Sequence, residues 1–277
     1  MYRWLTVFVL VGLGVPLHSA AQDKPLHVDS NAPIKKLPIS GEVFELDGFT
    51  AFLIMPPNVD TQKPIPWVWY APTLRGLPGV QETWMFQKFL DAGIAVAGID
   101  VGESYGNSKG RKGYELLYGY LVEDRGCSTQ PCLLARSRGG LMLYSWANAH
   151  PNCVSCIAGI YPVCDFLSYP GVDRASKAFQ MSPAQLLERS KELNPIDGLQ
   201  PLAEAKVPIY HIHGDQDQVV PLEQNSAELT RRYLGFGGPV NLEIVEGQGH
   251  NMWEGWFRSE ALVGFVIQHA KQTPTRK

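Results

Sequence analysis

A single serine stands where an apolar strand-like run meets an apolar helix-like run. The stretch ARSRGG places Ser137 between two small residues, Ala135 two positions before it and Gly139 two positions after it. A tight strand-to-helix turn requires small residues at these positions, and it exposes the serine Oγ as a nucleophile. The backbone N–H of Arg138 then lies at the start of a helix, where it can stabilise an oxyanion. A helix-capping role would explain the serine, but not the small residues on both sides.

A nucleophilic serine needs a base that titrates near neutral pH, and histidine is the usual one. His250 lies in the glycine-rich loop EGQGHNMW after the last predicted strand, from which an imidazole can reach the serine. Other histidines fall in the N-terminal arm, at helix ends, on the last helix or within a strand: His27, His150, His269, His211 and His213. Elimination therefore favours His250 as the base.

The base needs a carboxylate that holds its tautomer. The stretch HGDQDQVVP follows the penultimate predicted strand and contains Asp215 and Asp217. Asp215 is closer to the strand end, and we expect it to brace the loop through Asx-type hydrogen bonds. Asp217 is therefore predicted to orient the base.

Strand-like and helix-like segments alternate along most of the chain. EVFEL and FTAFLIMP predict an antiparallel pair around Asp47-Gly48. The wholly apolar runs that follow, such as PWVWYAP, IAVAGID and IAGIYP, are typical of buried parallel strands. This order predicts an α/β fold with one doubly wound, mostly parallel sheet and antiparallel N-terminal strands. In such sheets the chemistry lies in loops at the carboxyl ends of the strands.

The motifs together resemble the α/β-hydrolase superfamily, nearest to its dienelactone-hydrolase and prolyl-oligopeptidase-like branches. In chain order they are PWVWYAP before an oxyanion loop, ARSRGG at the elbow, HGDQDQVVP around the acid and GQGHNMW at the base. The resemblance implies a single α/β-hydrolase domain over residues 41–277. Within it, residues 165–205 are irregular and proline-rich, with one predicted helix at 182–192, and are interpreted as an insertion that can act as a cap.

The resemblance also implies roles for individual residues. The serine-acid-histidine order of the superfamily matches Ser137, Asp217 and His250. A second oxyanion donor is implied in the loop after WVWY, at Thr73 or Leu74, although the usual HGGG sequence is missing there.

Four further residues are candidates for substrate binding or for scaffolding. Arg136 and Arg138 flank the serine and can recognise a carboxylate, such as that of a uronate. The alternative is that one arginine pairs with a core carboxylate, Glu103 or Asp165. Glu103 itself follows a strand end and can line the pocket, and Trp253 is a candidate pocket wall.

The N-terminus has the pattern of a secretory signal peptide. Arg3 precedes an apolar run, and Ser19-Ala20-Ala21 offers a small-residue cleavage site. We expect residues 1–21 to be removed, an extended arm over 22–40, a secreted or periplasmic location and no stable membrane insertion. The less favoured alternative is a retained membrane anchor, since the apolar run is shorter than the about 20 residues needed to span a bilayer. The net charge of −3 and the lack of a long basic block argue against nucleic acid as a partner.

The chain has five cysteines, and export permits disulfides. Cys127 and Cys132 flank a Ser-Thr-Gln-Pro turn and are the first predicted disulfide pair. Cys153 and Cys156 are interpreted as small buried hydrophobes in an apolar run rather than as zinc ligands.

The sequence therefore predicts an exported serine hydrolase that needs no cofactor and cleaves small-molecule or carbohydrate esters through an acyl-enzyme. Acylated or uronate-containing carbohydrate is the favoured substrate class. A catalytically silent binding protein on the same scaffold is the main alternative. A serine peptidase is less favoured because no propeller-sized segment is expected to gate the site. A metallo-hydrolase built on His211-x-His213-x-Asp215 is the weakest alternative.

Overall fold

The computed structural model describes residues 28–29, 35–60 and 62–272 of the chain. The predicted signal peptide, residues 1–21, lies outside these described residues. Within them, no helix combines the length and the apolar character needed to cross a membrane. The predicted arm, residues 22–40, is described in part, and it contains a short strand that pairs with the sheet.

A nine-stranded sheet forms the centre of the described chain. The strands are β1 (Val28–Asp29), β2 (Glu42–Leu46), β3 (Phe49–Ile54), β4 (Trp67–Ala71), β5 (Ala95–Ile99), β6 (Cys132–Arg136), β7 (Cys156–Ile160), β8 (Ile209–Gly214) and β9 (Val240–Val245). Their order across the sheet is β1-β2-β3-β5-β4-β6-β7-β8-β9. The first three strands pair antiparallel with their neighbours, and β4 to β9 run parallel. The predicted mostly parallel sheet with antiparallel N-terminal strands is confirmed.

The hairpin between β2 and β3 turns at Asp47 and Gly48, whose φ angles are 49° and 83°. Positive φ at both turn residues matches the twist of the strands, and Asp-Gly is among the few pairs that adopt it easily. The register of this antiparallel pair extends from Glu42↔Leu53 to Leu46↔Phe49.

Helices cover both faces of the sheet. In the described residues they are α1 (Thr83–Asp91), α2 (Ser108–Gly119), α3 (Gly139–Ala149), α4 (Val172–Ala178), α5 (Pro183–Glu188), α6 (Ser190–Leu193), α7 (Gln200–Glu204), α8 (Ser226–Gly235), α9 (Glu254–Phe257) and α10 (Glu260–Ala270). One core cluster joins the sheet to α2, α3, α7 and α8, and a second joins the opposite face to α1, α9 and α10.

The central strands are apolar along their whole length because helices cover both faces. Every residue of β4, β5 and β7 is buried. In β4, Trp67 and Trp69 pack into the first core cluster, and Val68 and Tyr70 pack into the second. Alternate side chains of one strand thus fill two cores, which is why these runs lack the polar alternation of a half-exposed strand.

The segment 165–205 is more ordered than predicted. It contains four short helices, α4 to α7, where the sequence predicted one. Ser182 starts α5 with a capping box that includes Gln185. Phe166 and Leu186 of this segment join a third buried cluster beside the carboxyl edge of the sheet. Local capping and this buried cluster stabilise helices that are too short to persist alone. The role of the segment as a cap stays a prediction.

The predicted disulfide between Cys127 and Cys132 is wrong, because all five cysteines are free. Cys127 packs in the core cluster on one face of the sheet, and Cys132 packs in the cluster on the other. The Cys132 Sγ lies 3.6 Å from the Val266 carbonyl oxygen of α10. Burial raises the pKa of Cys127 to about 12, so that this thiol stays protonated. Proximity along the chain did not bring the two sulfur atoms to one side of the sheet.

Candidate active site

Ser137 occupies the turn between β6 and α3 with a φ of 49°. This left-handed conformation is strained for a non-glycine residue and is typical of a nucleophile elbow. Backbone hydrogen bonds hold it: the Ser137 N–H donates to the Ile160 carbonyl at 3.0 Å, and the Ser137 carbonyl accepts from the Val163 N–H at 2.8 Å. The strain is thus maintained by bonds to the neighbouring strand β7 and the loop after it.

The small residues around the serine have direct steric causes. A Cβ on Gly139 would overlap the Ala71 carbonyl, and a Cβ on Gly140 would overlap the Val163 carbonyl. Ala135 is fully buried within β6, between Ala71 of β4 and Gly159 of β7 in the strand register. Helix α3 can therefore start directly against the end of β4 and the loop after β7, which brings its first N–H groups under the serine.

Ser137, His250 and Asp217 come together at the carboxyl edge of the sheet. The Ser137 Oγ lies 2.9 Å from the His250 Nε2. The His250 Nδ1 lies 2.8 Å from the Asp217 Oδ2. With Nδ1 protonated and Nε2 facing the hydroxyl, the imidazole can accept the serine proton. The three loops that carry them follow β6, β8 and β9.

The Asp217 carboxylate is saturated with donors. Its Oδ1 accepts the N–H of Val219 at 3.0 Å and that of Val220 at 2.8 Å, and its side chain is fully buried. Burial alone would raise the pKa of Asp217, but hydrogen bonds from His213, His250 and the Val220 N–H outweigh it and hold the pKa far below its usual range. Asp217 therefore stays ionised and can stabilise an imidazolium at His250.

The loop that carries His250 is fixed by its neighbours. Asp215 accepts the Gly247 N–H at 2.7 Å, so this carboxylate ties the end of β8 to the loop of the base. The Tyr161 ring lies 4.3 Å from the His250 ring, measured between centroids. The Tyr161 hydroxyl donates to the Asn251 carbonyl at 3.3 Å. These contacts restrict the imidazole to the orientation that meets the serine.

Two backbone N–H groups near the serine, those of Arg138 and Leu74, are the candidate oxyanion donors. The Arg138 N–H precedes α3, and across the described residues no acceptor is found for it or for the Leu74 N–H. The loop with Thr73 and Leu74 lies close because Gly139 abuts Ala71, at the end of β4. The Lys35 ammonium donates to the carbonyls of Thr73 at 3.3 Å and of Leu74 at 3.0 Å. The N–H of Leu74 belongs to the same peptide plane as the Thr73 carbonyl, so Lys35 holds that plane in place.

A family model described as the prolyl oligopeptidase family matches residues 128–272, which include the serine, the acid and the base. The chain belongs to the prolyl oligopeptidase family. Among curated proteins no significant match was found.

Solved structures share the fold of this family member. A puromycin-hydrolyzing peptidase of Mycobacterium tuberculosis is 18% identical, with a TM-score of 0.67, and the match covers 88% of this chain and 43% of that one. Est1E from Butyrivibrio proteoclasticus is 16% identical, with a TM-score of 0.64, covering 84% of this chain and 99% of that one. The Pyrococcus horikoshii acylaminoacyl peptidase is 14% identical, with a TM-score of 0.65, covering 86% and 43%. The chain thus spans less than half of either peptidase and nearly all of Est1E, and it has an α/β-hydrolase fold.

Of the two arginines of this family member, one pairs with a carboxylate that the sequence analysis named and the other does not. Arg136 pairs at 2.6 Å with Glu82, a buried carboxylate that the sequence analysis did not single out. Arg138 pairs with Glu103, one of the two predicted partners, at the exposed edge of the site. Asp165 instead accepts the Leu167 N–H at 2.8 Å. Neither arginine presents an unpaired guanidinium, and the predicted substrate contacts of Arg136 and Glu103 compete with these ion pairs.

The rim of the site carries exposed apolar side chains. Trp253, the predicted pocket wall, and its neighbour Met252 are both exposed, shortly after His250 in the chain. Trp253 stands edge-to-face on the buried Trp256, with ring centroids 5.2 Å apart. Val219, two residues after Asp217 in the chain, is also exposed. The triad therefore opens onto a partly apolar surface.

The metallo-hydrolase alternative would require His211 and His213 to be available as metal ligands. His211 and His213 are buried, and their ring nitrogens are occupied by other partners. Both Nδ1 atoms contact the Ser226 Oγ, at 3.0 Å and 2.8 Å. Their two-residue spacing places both rings on one face of β8.

Two residues near the site carried no readable sequence signal. Glu82 precedes a helix-like run and looks like an ordinary first-turn acid. Lys35 lies in an aperiodic stretch beside Lys36. The contact of Lys35 with Leu74 and that of Glu82 with Arg136 each join residues more than thirty positions apart along the chain, so only tertiary packing reveals them.

Proposed function

We propose that the protein hydrolyses carboxylic esters through an acyl-enzyme. The observation that carries the proposal is the pair of contacts at His250, 2.9 Å to the Ser137 Oγ and 2.8 Å to the Asp217 Oδ2. Hydrogen bonds on both ring nitrogens prepare the imidazole to move a proton between serine and leaving group.

The proposed reaction has two halves. The Ser137 Oγ attacks the ester carbonyl while His250 Nε2 takes its proton, and the Arg138 and Leu74 N–H groups bind the oxyanion. The tetrahedral intermediate collapses as His250 returns the proton to the leaving alkoxide. A water molecule then attacks the acyl-enzyme with His250 again as the base, and Ser137 leaves with the proton. Asp217 stays ionised throughout and stabilises the imidazolium.

Ester and amide hydrolysis use the same catalytic groups, so the triad alone does not distinguish the two reactions. The extent of the structural similarity to an esterase favours esters. The likeness to Est1E extends over 99% of that chain, whereas it covers 43% of the puromycin-hydrolyzing peptidase. Peptidase activity is the second candidate, supported by the family description and by the peptidases among the fold neighbours. An ester also has a better leaving group than an amide.

The proposed substrate is an acylated or uronate-containing carbohydrate. The exposed Trp253 beside the base can stack on a sugar ring or an acyl chain. Arg138 lies next to the nucleophile, but a substrate carboxylate would have to share its guanidinium with Glu103. Neutral esters are therefore expected to be better substrates than esters that also carry a free carboxylate.

We further propose that the protein is exported after cleavage behind Ala21. The support is the signal-peptide pattern of residues 1–21. N-terminal sequencing of the secreted or periplasmic protein tests it. A mature protein that begins at Gln22 is expected, and retention of Met1 in the cytoplasmic fraction would contradict export.

Hydrolysis of a substrate panel tests the activity itself. The panel contains p-nitrophenyl acyl esters of increasing chain length, an acetylated sugar, a uronate methyl ester and aminoacyl p-nitroanilides. Wild type and Ser137→Ala are compared at equal concentration. We expect ester cleavage in the wild type and a loss of several orders of magnitude in the variant, since triad members act as a unit.

Each result has a definite meaning. Faster cleavage of the anilides than of the esters would replace the ester proposal with a peptidase. Equal activity of wild type and Ser137→Ala would refute the triad. Labelling of Ser137 by a fluorophosphonate, without turnover of any panel member, would support an active nucleophile but contradict the proposed substrates.

A further inference from the structure

A row of buried polar side chains leads from the helix α3 to the catalytic acid. The Tyr144 hydroxyl lies 2.8 Å from the His211 Nε2, and the His211 Nδ1 lies 3.0 Å from the Ser226 Oγ. The same Ser226 Oγ lies 2.8 Å from the His213 Nδ1. The His213 Nε2 lies 3.4 Å from the Asp217 Oδ2. Three elements, α3, β8 and α8, thus converge behind the triad.

The end of the row at Asp217 fixes the position of one proton. The His213 Nε2 faces the Val220 carbonyl oxygen at 2.9 Å as well as the carboxylate. Both neighbours are acceptors, and a carbonyl has no proton to donate. An unprotonated Nε2 would set a lone pair against two oxygen atoms in a fully buried place. His213 must therefore carry a proton on Nε2.

The remaining protons follow in sequence. A neutral His213 has an unprotonated Nδ1, which accepts the Ser226 hydroxyl proton. The Ser226 oxygen then accepts the His211 Nδ1–H, and the His211 Nε2 accepts the Tyr144 hydroxyl. Burial, and next the neighbouring His213, lower the pKa of His211 to about 3, so that ring is neutral and carries the one proton this arrangement gives it. Burial raises the pKa of Tyr144 well above its usual value, which keeps the phenol protonated as the donor.

We propose that His213 is a positioning residue for the catalytic acid, and that Tyr144, His211 and Ser226 lock it in the tautomer that donates Nε2–H to Asp217 and Val220. The Val219 and Val220 N–H groups hold one carboxylate oxygen, Oδ1. His213 approaches the other, Oδ2, which is the oxygen that meets His250. His213 therefore restrains the one atom of Asp217 that orients the base.

The donor also sets the electrostatics of the triad. Its positive end points at the Asp217 carboxylate and so offsets part of the negative potential felt by His250. The titratable groups around His213 are Asp217 in contact, His211 through Ser226, His250 through Asp217, and Tyr144 at the far end. Without the donor, the carboxylate holds a proton on the base more strongly. The acid limb of the pH profile of kcat/KM would then move to higher pH.

The test combines spectroscopy on the wild-type protein with four variants. The ¹⁵N shifts of labelled histidine, assigned with His213→Gln, report which ring nitrogen of His213 carries the proton. His213→Phe removes the donor at similar volume, and His213→Gln restores an N–H near the Nε2 position. Ser226→Ala removes the lock but leaves the imidazole. His150→Gln is the matched control, since its ring contacts the exposed Glu115 far from the triad.

The expected results distinguish positioning from simple packing. His213 should be protonated on Nε2. His213→Phe should lower kcat about tenfold, the value of one hydrogen bond to a charged group, with KM changed by less than about twofold. Its acid limb should move to higher pH, Ser226→Ala should show a smaller change in the same direction, and His213→Gln should recover most of the rate. His150→Gln should match the wild type.

Three results would overturn the proposal: protonation of His213 on Nδ1, a wild-type rate and pH profile in His213→Phe, or equal losses in His213→Phe and His213→Gln. If His213→Phe does not fold, the tautomer of His213 measured in the wild-type protein and the kinetics of His213→Gln still test the proposal. The inference rests on the triad of the proposed function, but the tautomer is measured without substrate. A failure of the ester proposal and a failure of this one therefore give different results.

Discussion

The two arginines that flank the nucleophile make ion pairs of opposite character. The side chains of Arg136 and Glu82 are 12% and 0% exposed, and Glu82 also accepts the Tyr70 hydroxyl at 2.9 Å. The side chains of Arg138 and Glu103 are 33% and 45% exposed. The first pair is built into the wall of the site and the second lies in solvent at its rim. The two arginines of the Arg-Ser-Arg sequence thus have different roles: Arg136 forms a buried structural ion pair, and Arg138 forms an exposed ion pair.

The difference follows from desolvation. A charge removed from water needs every lone pair and proton satisfied, whereas an exposed charge is solvated whether or not its partner is present. Breaking the buried pair should therefore affect folding, and breaking the exposed pair should affect mainly the substrate.

The largest expected effect is on stability. Glu82→Gln leaves the buried Arg136 without its counter-charge and should lower the free energy of unfolding by about 3 to 5 kcal/mol. Glu103→Gln, the matched change at the rim, should lower it by less than about 1 kcal/mol. Urea unfolding at neutral pH measures both. Similar losses in the two variants would contradict the distinction between wall and rim, and a double change of Glu82 and Arg136 to apolar residues should recover part of the loss.

The next largest effect concerns the stability of the protein at low pH, which depends on the buried His211. The pKa of His211 is lowered to about 3 by burial, whereas the unfolded chain has the ordinary value near 6.5. Between these values the unfolded state binds a proton that the folded state does not. The stability contributed by the neutral ring is thus complete above about pH 6.5 and is lost as the pH falls toward 3.

His211→Gln removes this titration but keeps polar contacts with Tyr144 and Ser226. The drop in unfolding free energy between pH 7 and pH 4.5 should shrink by about 2 to 3 kcal/mol relative to the wild type. His150→Gln, at a partly exposed site, serves as the control and should alter this drop by much less. An unchanged slope in His211→Gln would show that the ring is not held neutral.

A smaller effect is expected from the ammonium that braces the oxyanion loop. Burial lowers the pKa of Lys35, and the nearby Asp100 opposes that shift. Lys35→Met removes both hydrogen bonds to the carbonyls of Thr73 and Leu74 and should lower kcat by about tenfold or less, with a smaller change in KM. The adjacent, exposed Lys36→Met is the control. Equal effects of Lys35→Met and Lys36→Met would contradict the role of Lys35 in holding the oxyanion loop.

The smallest effect tests the rim pair as a contact with substrate. Glu103→Gln frees the Arg138 guanidinium for a carboxylate on the substrate. The ratio of KM for an O-acetylated sugar acid, whose carboxylate is free, to KM for the matching neutral acetylated sugar should fall by about two- to fivefold, the value of an exposed ion pair. Kinetics at low and high salt check its electrostatic origin. A ratio that does not change would place Arg138 outside the substrate site.

Much of the fold could be read from local patterns. The apolar runs, their alternation with helix-like runs and the Asp47-Gly48 turn each depend on neighbouring residues, and the structure contains each of them. The segment 165–205 was harder to predict because its four short helices lack a sustained hydrophobic periodicity and depend on the buried cluster around Phe166 and Leu186. The disulfide failed for a related reason: spacing along the chain says nothing about which face of a sheet a side chain takes.

The sequence by itself determined the identity of Ser137, Asp217 and His250 as a set, because each lies in a motif whose local geometry depends on small residues and strand ends. The tertiary structure alone decided which carboxylate meets which arginine, that Lys35 reaches the oxyanion loop, and that His213 stands behind the acid. These contacts join segments far apart in the chain, and their strength depends on burial. A local sequence pattern encodes neither the partner of a side chain nor the burial that excludes water from the contact and strengthens it.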